Sequence, residues 1–273
     1  MISYHDIISA LKSMGLTRDT PTIAHIDPSL REKIKGGSAT LMGAILSKVD
    51  NIMLPAFTYS TMVTPEDGPE NNDMEYGKNS MENLDASIFS HTLPSEAGNQ
   101  AEIAVLKSFP GSYRSSHPIF SFYGLGLDSV LLDHAPQNPY LPIRKLMGMG
   151  GWIGLFGAGA DQNFSIHYAE FLAGRKQFLR WALSPDGIIE CQNFPGCPNG
   201  FHKLSYYLQD EVREVELENI KFSAVKMSVL VNSAVALLKE DPFALLCNDL
   251  QCTRCNLVRD AIKNQIISSW KPE

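Results

Sequence analysis

The sequence predicts an α/β protein, and three observations predict it. Stretches of strand character alternate with stretches of helical periodicity along most of the chain. Glycine turns stand between several of them. The chain has 273 residues, 44% of them hydrophobic and 19% charged, enough to bury a sizeable core. No internal repeat and no low-complexity linker divides it, so one domain spanning residues 1–273 is expected.

The elements follow in order. "MISYHDIISALKSMGL" carries Ile7, Ile8, Leu11 and Met14 at helical spacing and ends near Gly15. "PTIAHIDPSL" reads as a short strand running into a proline turn. "GGSATLMGAILSKV" is a glycine turn and a helix with Leu41, Ile45 and Val49 on one face. "NIMLPAFTYST" has the apolar, β-branched and aromatic content of a buried strand. Residues 62–80 form a long polar loop rich in turn residues, a length that often marks function. "NQAEIAVLKSF" is an amphipathic helix closed by Pro110 and Gly111, "VLLDH" a short element, and "LPIRKLMGMG" a short helix ended by glycine. "GWIGLFGAGADQNFSIHYAEFLAGRK" reads strand, glycine turn, helix. After residue 205 come a mixed segment and one clear helix near 228–239.

Several function classes lose support at once. The formal net charge is −7, whereas a nucleic-acid binder shows a basic face. No apolar run approaches the ~20 residues of a membrane span. The N-terminus lacks the positive start and continuous apolar stretch of a leader, so a cytoplasmic location and mostly reduced cysteines are expected. Neither a G-x-S-x-G nucleophile elbow nor a phosphate-binding P-loop is present, and "GAG" falls short of a dinucleotide fingerprint.

Four groupings carry chemistry. His167 and Glu170 are three apart, on one face of a helix that starts just after a strand. A carboxylate beside an imidazole orients it, as a general base requires, and the carboxyl end of a strand is where open α/β sheets keep their sites. The alternative is a surface pair. "RSSHPIFSFYGLG", residues 114–126, offers the donors Arg114, Ser115, Ser116 and His117 before a proline, either a cradle for phosphate or a solvated loop. His25, Asp27 and Ser29 precede Gly36 and Gly37, a turn into a helix whose N–H groups suit an anion. The cysteines cluster as C-x4-C-x2-C at Cys247, Cys252 and Cys255, with Cys191, Cys197 and His202 upstream. They read either as metal ligands or, if 247–262 is helical, as small core residues; the second reading is preferred and no metal ligand is assigned.

Taken together, "AHIDPSL", "KGGSATLMGAI", "IMLPAFTYS", "GPENNDMEYG", "LPSEAGNQAEIAVLKSFPGSYRSSHPIFSF" and "GAGADQNFSIHYAEFLAG" resemble the aminoglycoside 3-N-acetyltransferase family, in order and rough spacing, over about residues 20–205. The resemblance implies an α/β fold with a central mixed sheet flanked by helices. It implies acetyl-CoA as acyl donor and direct attack by the 3-amino group of an aminoglycoside. An amino-sugar, free or nucleotide-linked, is the alternative acceptor. His167 would be the general base and Glu170 its orienter. His25, Ser29, Leu30, Gly36 and Gly37, with Ser115, His117 and Ser121, would line the CoA cleft. Asp67, Asp73, Glu75 and Tyr76 in the 62–80 loop would face the cationic acceptor. The implied partners are that small molecule and a second copy of the chain as a homodimer, with no nucleic acid and no membrane. Two features depart from the family's pattern: Phe164 stands three residues before His167, where the family carries Thr, and "HIDPSL" carries extra residues between His25 and the Ser29-Leu30 pair, where the family reads histidine almost directly into "SSL".

Overall fold

A computed structural model describes residues 1–77, 83–208 and 210–269. Its centre is a seven-stranded mixed sheet of β1 (Thr22–Ile26), β2 (Ile52–Pro55), β4 (Ser112–Arg114), β5 (Phe122–Leu125), β6 (Trp152–Phe156), β9 (Arg213–Leu217) and β10 (Ile220–Lys226). The strand order is β4-β5-β2-β1-β6-β10-β9. β1 lies parallel to both β2 and β6, and every other pairing in the sheet is antiparallel. A second, antiparallel sheet joins β3 (Met62–Val63), β7 (Phe178–Ser184) and β8 (Gly187–Phe194) in the order β3-β7-β8.

Period-two alternation sorts the side chains of the large sheet onto two faces. Ala24, Ile26, Ile52, Leu54, Trp152, Phe156, Phe222 and Ala224 share a core with α1 (Tyr4–Ser13) and α3 (Gly37–Leu46). Ile23, Met53, Ile153 and Val225 join the other core with α6 (Leu141–Gly148), α7 (Ser165–Leu172) and α8 (Met227–Glu240). The remaining α-helices placed among the described residues are α2 (Leu30–Lys33), α4 (Gln100–Lys107), α5 (Asp128–Leu131) and α9 (Thr253–Ser269). His25 follows Ile23 by two residues, so it faces the side that α7 covers.

Local chemistry explains the ends of the elements. Ser3 and Asp6 form a capping box on α1, satisfying two orphan N–H groups. Gly174 ends α7 in the left-handed region at φ +77. Its N–H reaches the Phe171 carbonyl at 3.0 Å, and the Arg175 N–H reaches the Glu170 carbonyl at 3.0 Å. This paired closure is a Schellman motif, and it folds Arg175 back beneath the helix. No helix among the described residues is long and apolar enough to cross a membrane.

Two readings of the sequence need correction. The cysteine segment is not one helix over 247–262: α9 starts at Thr253, so Cys247 and Cys252 precede it and only Cys255 is helical. The 62–80 loop begins with strand β3, and its residues 78–80 lie outside the described residues.

Candidate active site

The parallel strands β1, β2 and β6 deliver their carboxyl ends to one edge of the sheet, where α/β proteins place ligands. A cavity of about 540 Å³ opens there. His25 and Ile26 come from the end of β1, Pro55 and Phe57 from the end of β2, and Asp161, Gln162 and His167 from the chain after β6. Glu96–Asn99 and the segment 194–198 close its sides.

α7 supplies the reactive group. Asn163 Oδ1 accepts the Ser165 N–H at 3.1 Å and tightens the turn into the helix. His167 and Glu170 then fall on one face, with His167 Nδ1 and Glu170 Oε2 2.7 Å apart. Glu170 is 2% exposed. Its other oxygen, Oε1, accepts Arg175 Nη1–H at 2.7 Å, and Arg175 Nη2 donates to the carbonyls of Pro242 (2.7 Å) and Ala244 (2.6 Å). The carboxyl group thus lies between a guanidinium and an imidazole. In the tautomer that donates Nδ1–H to Glu170, the Nε2 lone pair is the acceptor. Nε2 makes no hydrogen bond among the described residues, and His167 lines the cavity. Phe201 and Phe164 pack edge-on against the ring at 4.7 and 5.7 Å between centroids and fix its plane.

Phe164 forms part of the cavity floor, within 5.0 Å of both Phe57 and Phe120 between ring centroids. At this position an aromatic core replaces a hydroxyl. The neighbouring Ser165 is fully buried and its Oγ has no partner among the described residues.

Of the residues expected at the CoA cleft, His25 alone lines this cavity. Burial pushes its imidazole down to about 3, so it is neutral, and its Nε2 has no partner among the described residues. Ser29 is exposed and folds onto Asp27, with Oγ and Oδ1 2.5 Å apart. Leu30 is buried in the core on the opposite face of the sheet. Gly36 and Gly37, at φ +89 and +57, make the turn into α3, outside the cavity lining.

Arg114, Ser115, His117 and Ser121 of the stretch 114–126 face inward, onto the protein itself, while Ser116 is exposed. Arg114 is 3% exposed and donates to Ser121 Oγ (3.0 Å), the Ala56 carbonyl (2.7 Å) and the carbonyl of Leu93. It therefore clamps the loop that leads to Glu96 against the end of β2. Ser121 Oγ donates to the Ala56 carbonyl at 2.7 Å. Ser115 Oγ accepts the Phe122 N–H at 2.8 Å and lies 2.9 Å from His134 Nδ1. His117 Nδ1 accepts the N–H groups of Ile119 (3.1 Å) and Phe120 (3.0 Å). Ser115, His117 and Ser121 lie outside the cavity lining; Ser115 Oγ, His117 Nδ1 and Ser121 Oγ satisfy backbone groups that would otherwise be orphaned, while the buried His117 Nε2 has no partner among the described residues.

These histidines carry a pH dependence. Burial pushes His117 down to about 3, and burial and then His117 hold His134 well below the usual imidazole range. His25, His117 and His134 are neutral in the fold but protonate near pH 6.5 in the unfolded chain. Their contribution is fully present above pH 6.5 and is lost as pH falls toward the folded values. One unit below 6.5, each costs about 1.4 kcal/mol of stability. Urea unfolding at pH 7.5 and 5.5 should show this loss, and His134→Gln should remove about one third of the histidine share.

The acidic loop is also turned elsewhere. Asn72 bridges the N–H and C=O of Leu179 (2.7 and 2.9 Å), pinning the loop along β7. Asp73 pairs with Arg254 Nε at 2.7 Å and with Arg180 Nη2 at 3.4 Å, so its charge is neutralised internally. Tyr76 packs edge-on against Trp181, 6.1 Å away, and accepts the Asn72 amide at 2.6 Å. Glu75 borders a separate hollow against α9, and Asp67 is exposed. None of Asp67, Asp73, Glu75 and Tyr76 lines the cavity. The carboxylates that do are Glu96 and Asp161. Glu96 accepts the Ser60 N–H at 3.0 Å, which fixes it on the rim. Arg175, Glu96, Asn99 and Arg254 went unread in the sequence. Gly174-Arg175 after the helix was the one local signal, since Gly at C′ determines where the next side chain goes.

The model of the aminoglycoside 3-N-acetyltransferase family matches residues 23–239, past the 205 boundary set by the motifs alone. Aminoglycoside N(3)-acetyltransferase IX of Micromonospora chalcea is 29% identical over 177 residues, which is 60% of this chain. The match spans 59% of that relative's length. Among solved structures, the YokD protein from Bacillus subtilis superposes with a TM-score of 0.74 at 18% identity, over 88% of this chain and 100% of that one. AAC-IIIb, in a binary complex with CoASH, superposes with a TM-score of 0.68 at 18% identity, over 88% of this chain and 97% of that one. The likeness to both structures is one of fold.

Proposed function

The chain belongs to the aminoglycoside 3-N-acetyltransferase family, and from that premise we propose that it transfers the acetyl group of acetyl-CoA to the 3-amino group of an aminoglycoside. One observation carries the reading: His167 presents an unpartnered Nε2 to a cavity while Nδ1 is tied to Glu170 and, through it, to Arg175.

Acetyl-CoA supplies an acetyl group activated as a thioester. The β1 end of the cavity suits that group. His25 Nε2 is a buried polar atom with no partner among the described residues. Gly98, at φ +78, packs directly on Pro28, where a Cβ would meet Pro28 Cγ at 2.4 Å, and both residues line the cavity beside His25. His25, Pro28 and Gly98 are therefore the residues assigned to hold the donor's reactive end.

The acceptor is a polycation, and the rim carboxylates Glu96 and Asp161 attract and orient it. An ammonium is no nucleophile, so the attacking nitrogen must shed a proton. That first proton leaves to solvent before attack. The neutral amine then attacks the thioester carbonyl. His167 Nε2 accepts a second proton from the nitrogen as the N–C bond forms, and passes it to the departing sulfur as the C–S bond breaks. Glu170 stabilises the imidazolium in between, as the carboxylate of a catalytic triad does.

A nucleotide-linked amino-sugar has one observation in its favour, the guanidinium of Arg254 in the lining. Asp73 already occupies it at 2.7 Å, so the cavity's unpaired charge is that of Glu96 and Asp161 and favours a cation. Thiol release from acetyl-CoA should therefore proceed with aminoglycosides and be slower with nucleotide-linked amino-sugars. The reverse order would replace this acceptor with the sugar.

The rim makes its own prediction. Glu96→Gln with Asp161→Asn should raise KM for the aminoglycoside by about tenfold, close to 1.4 kcal/mol, and leave kcat within about threefold. The wild-type KM should rise with salt and the double variant's should not. Steady-state kinetics at two ionic strengths checks both.

A further inference from the structure

We propose that Cys197, Cys247, Cys252 and Cys255 form a tetrahedral tetrathiolate site for Zn²⁺ that braces the wall of the active cavity. The proposal does not depend on the acetyl-transfer reading.

All four sulfurs lie within 4.8 Å of one another. A zinc ion at Zn–S distances of about 2.3 Å sets its four sulfurs about 3.8 Å apart, so the thiols need close in by only about an ångström. A cubane iron–sulfur cluster places sulfide and iron between its thiolates and spreads them wider than this group. The four residues converge from two segments. Cys197 comes from the loop after β8, and the others from the loop and first turn before and within α9. The segments are packed backbone to backbone: a Cβ on Gly200 would strike the Leu245 carbonyl at 2.2 Å. Leu245 itself is held at φ 62, a conformation a leucine adopts only when its surroundings impose it.

The surroundings suit a tetrathiolate. Cys252 and Cys255 flank the N-terminus of α9, whose dipole favours anionic sulfur. Four thiolates around Zn²⁺ carry a net double negative charge. Two cations bond the backbone beside it, and a third neighbours the ligands in sequence but pairs with Asp73. Arg259 Nη2 donates to the Cys247 carbonyl at 2.5 Å, Lys203 Nζ to the Leu246 carbonyl at 2.7 Å, and Arg254 lies between two of the cysteines in sequence. His202, the other ligand type in this region, bonds the Asn199 carbonyl through Nδ1 at 3.1 Å and is not in the group. Cys191 is also apart, buried in β8.

The position gives the site a consequence. Cys197 sits between Gly196 and Pro198, and Arg254 between Cys252 and Cys255; Gly196, Pro198 and Arg254 all line the cavity. Fixing the sulfurs therefore fixes that wall.

Elemental analysis of protein purified without chelators should find about one zinc per chain. Cys191→Ser should keep it, and Cys252→Ser and Cys197→Ser should lose it and lower the thermal midpoint by more than about 5 °C. If the serine variants fail to fold, cobalt added to demetallated wild-type protein decides instead. Intense visible bands of tetrahedral Co²⁺–thiolate are the expected result. Protein free of zinc that also gives no such cobalt spectrum overturns the site. So does iron in place of zinc, or a thiol count showing these cysteines paired as disulfides.

Discussion

Replacing His167 with alanine is expected to lower kcat by about 10²–10⁴-fold, the usual worth of a positioned general base. The fold should survive. His167 contributes one ring at the cavity surface, packed on Phe201 and Phe164, and its loss leaves the Glu170–Arg175 pair intact at 2.7 Å. CoA binding should persist because His25, Pro28 and Gly98 are untouched. The kinetic signature separates a base from a binding residue: kcat falls while KM for the aminoglycoside stays within a few-fold. Turnover that persists within about threefold would place the base elsewhere. His25 would be a poor substitute, since burial pushes its imidazole down to about 3 and leaves it a weak base.

Arg175→Ala is expected to have the largest effect on stability. It strands Glu170, 2% exposed, without its cation, and removes the donor to the Pro242 and Ala244 carbonyls. Breaking a buried pair from one side costs about 3–5 kcal/mol. Removing both partners together, as in Arg175→Met with Glu170→Leu, should recover a large part of that loss, because no unpaired charge remains. Denaturant unfolding of the single and double variants measures the difference. A single variant costing under about 1 kcal/mol would mean that Glu170 is not held as a buried anion. Glu170→Gln should cost little stability by comparison, yet lower kcat strongly, because an amide cannot stabilise the imidazolium.

How much of this was legible in the sequence followed the range of the physics. Helix α1, strand β1, helix α3 and the β6–α7 unit were readable, because their periodicities and end residues are local. The His167–Glu170 pair was readable for the same reason, since three residues on a helix are one turn. The β7–β8 hairpin was missed, although "FLRWALS" alternates and "SPDG" is a turn that a period-two scan would catch. The roles given to Ser115, His117, Ser121 and the acidic loop came from sequence order, and order does not say which way a side chain points. Arg114 and Asn72 decide that, each through contacts with distant backbone. Glu96 and Asp161 meet only when the carboxyl ends of three parallel strands share an edge. The cysteine group is the extreme case: a local C-x4-C-x2-C gains its fourth sulfur from Cys197, which only the packing of Gly200 on Leu245 brings close.

The most direct measurement is the structure, by NMR, of the product formed from acetyl-CoA and an aminoglycoside. The account predicts one new acetamide, at the 3-amino nitrogen, made by the wild-type protein and not by His167→Ala. An acetyl group on another position, on oxygen, or on no aminoglycoside at all while a nucleotide-linked amino-sugar is acetylated would contradict it.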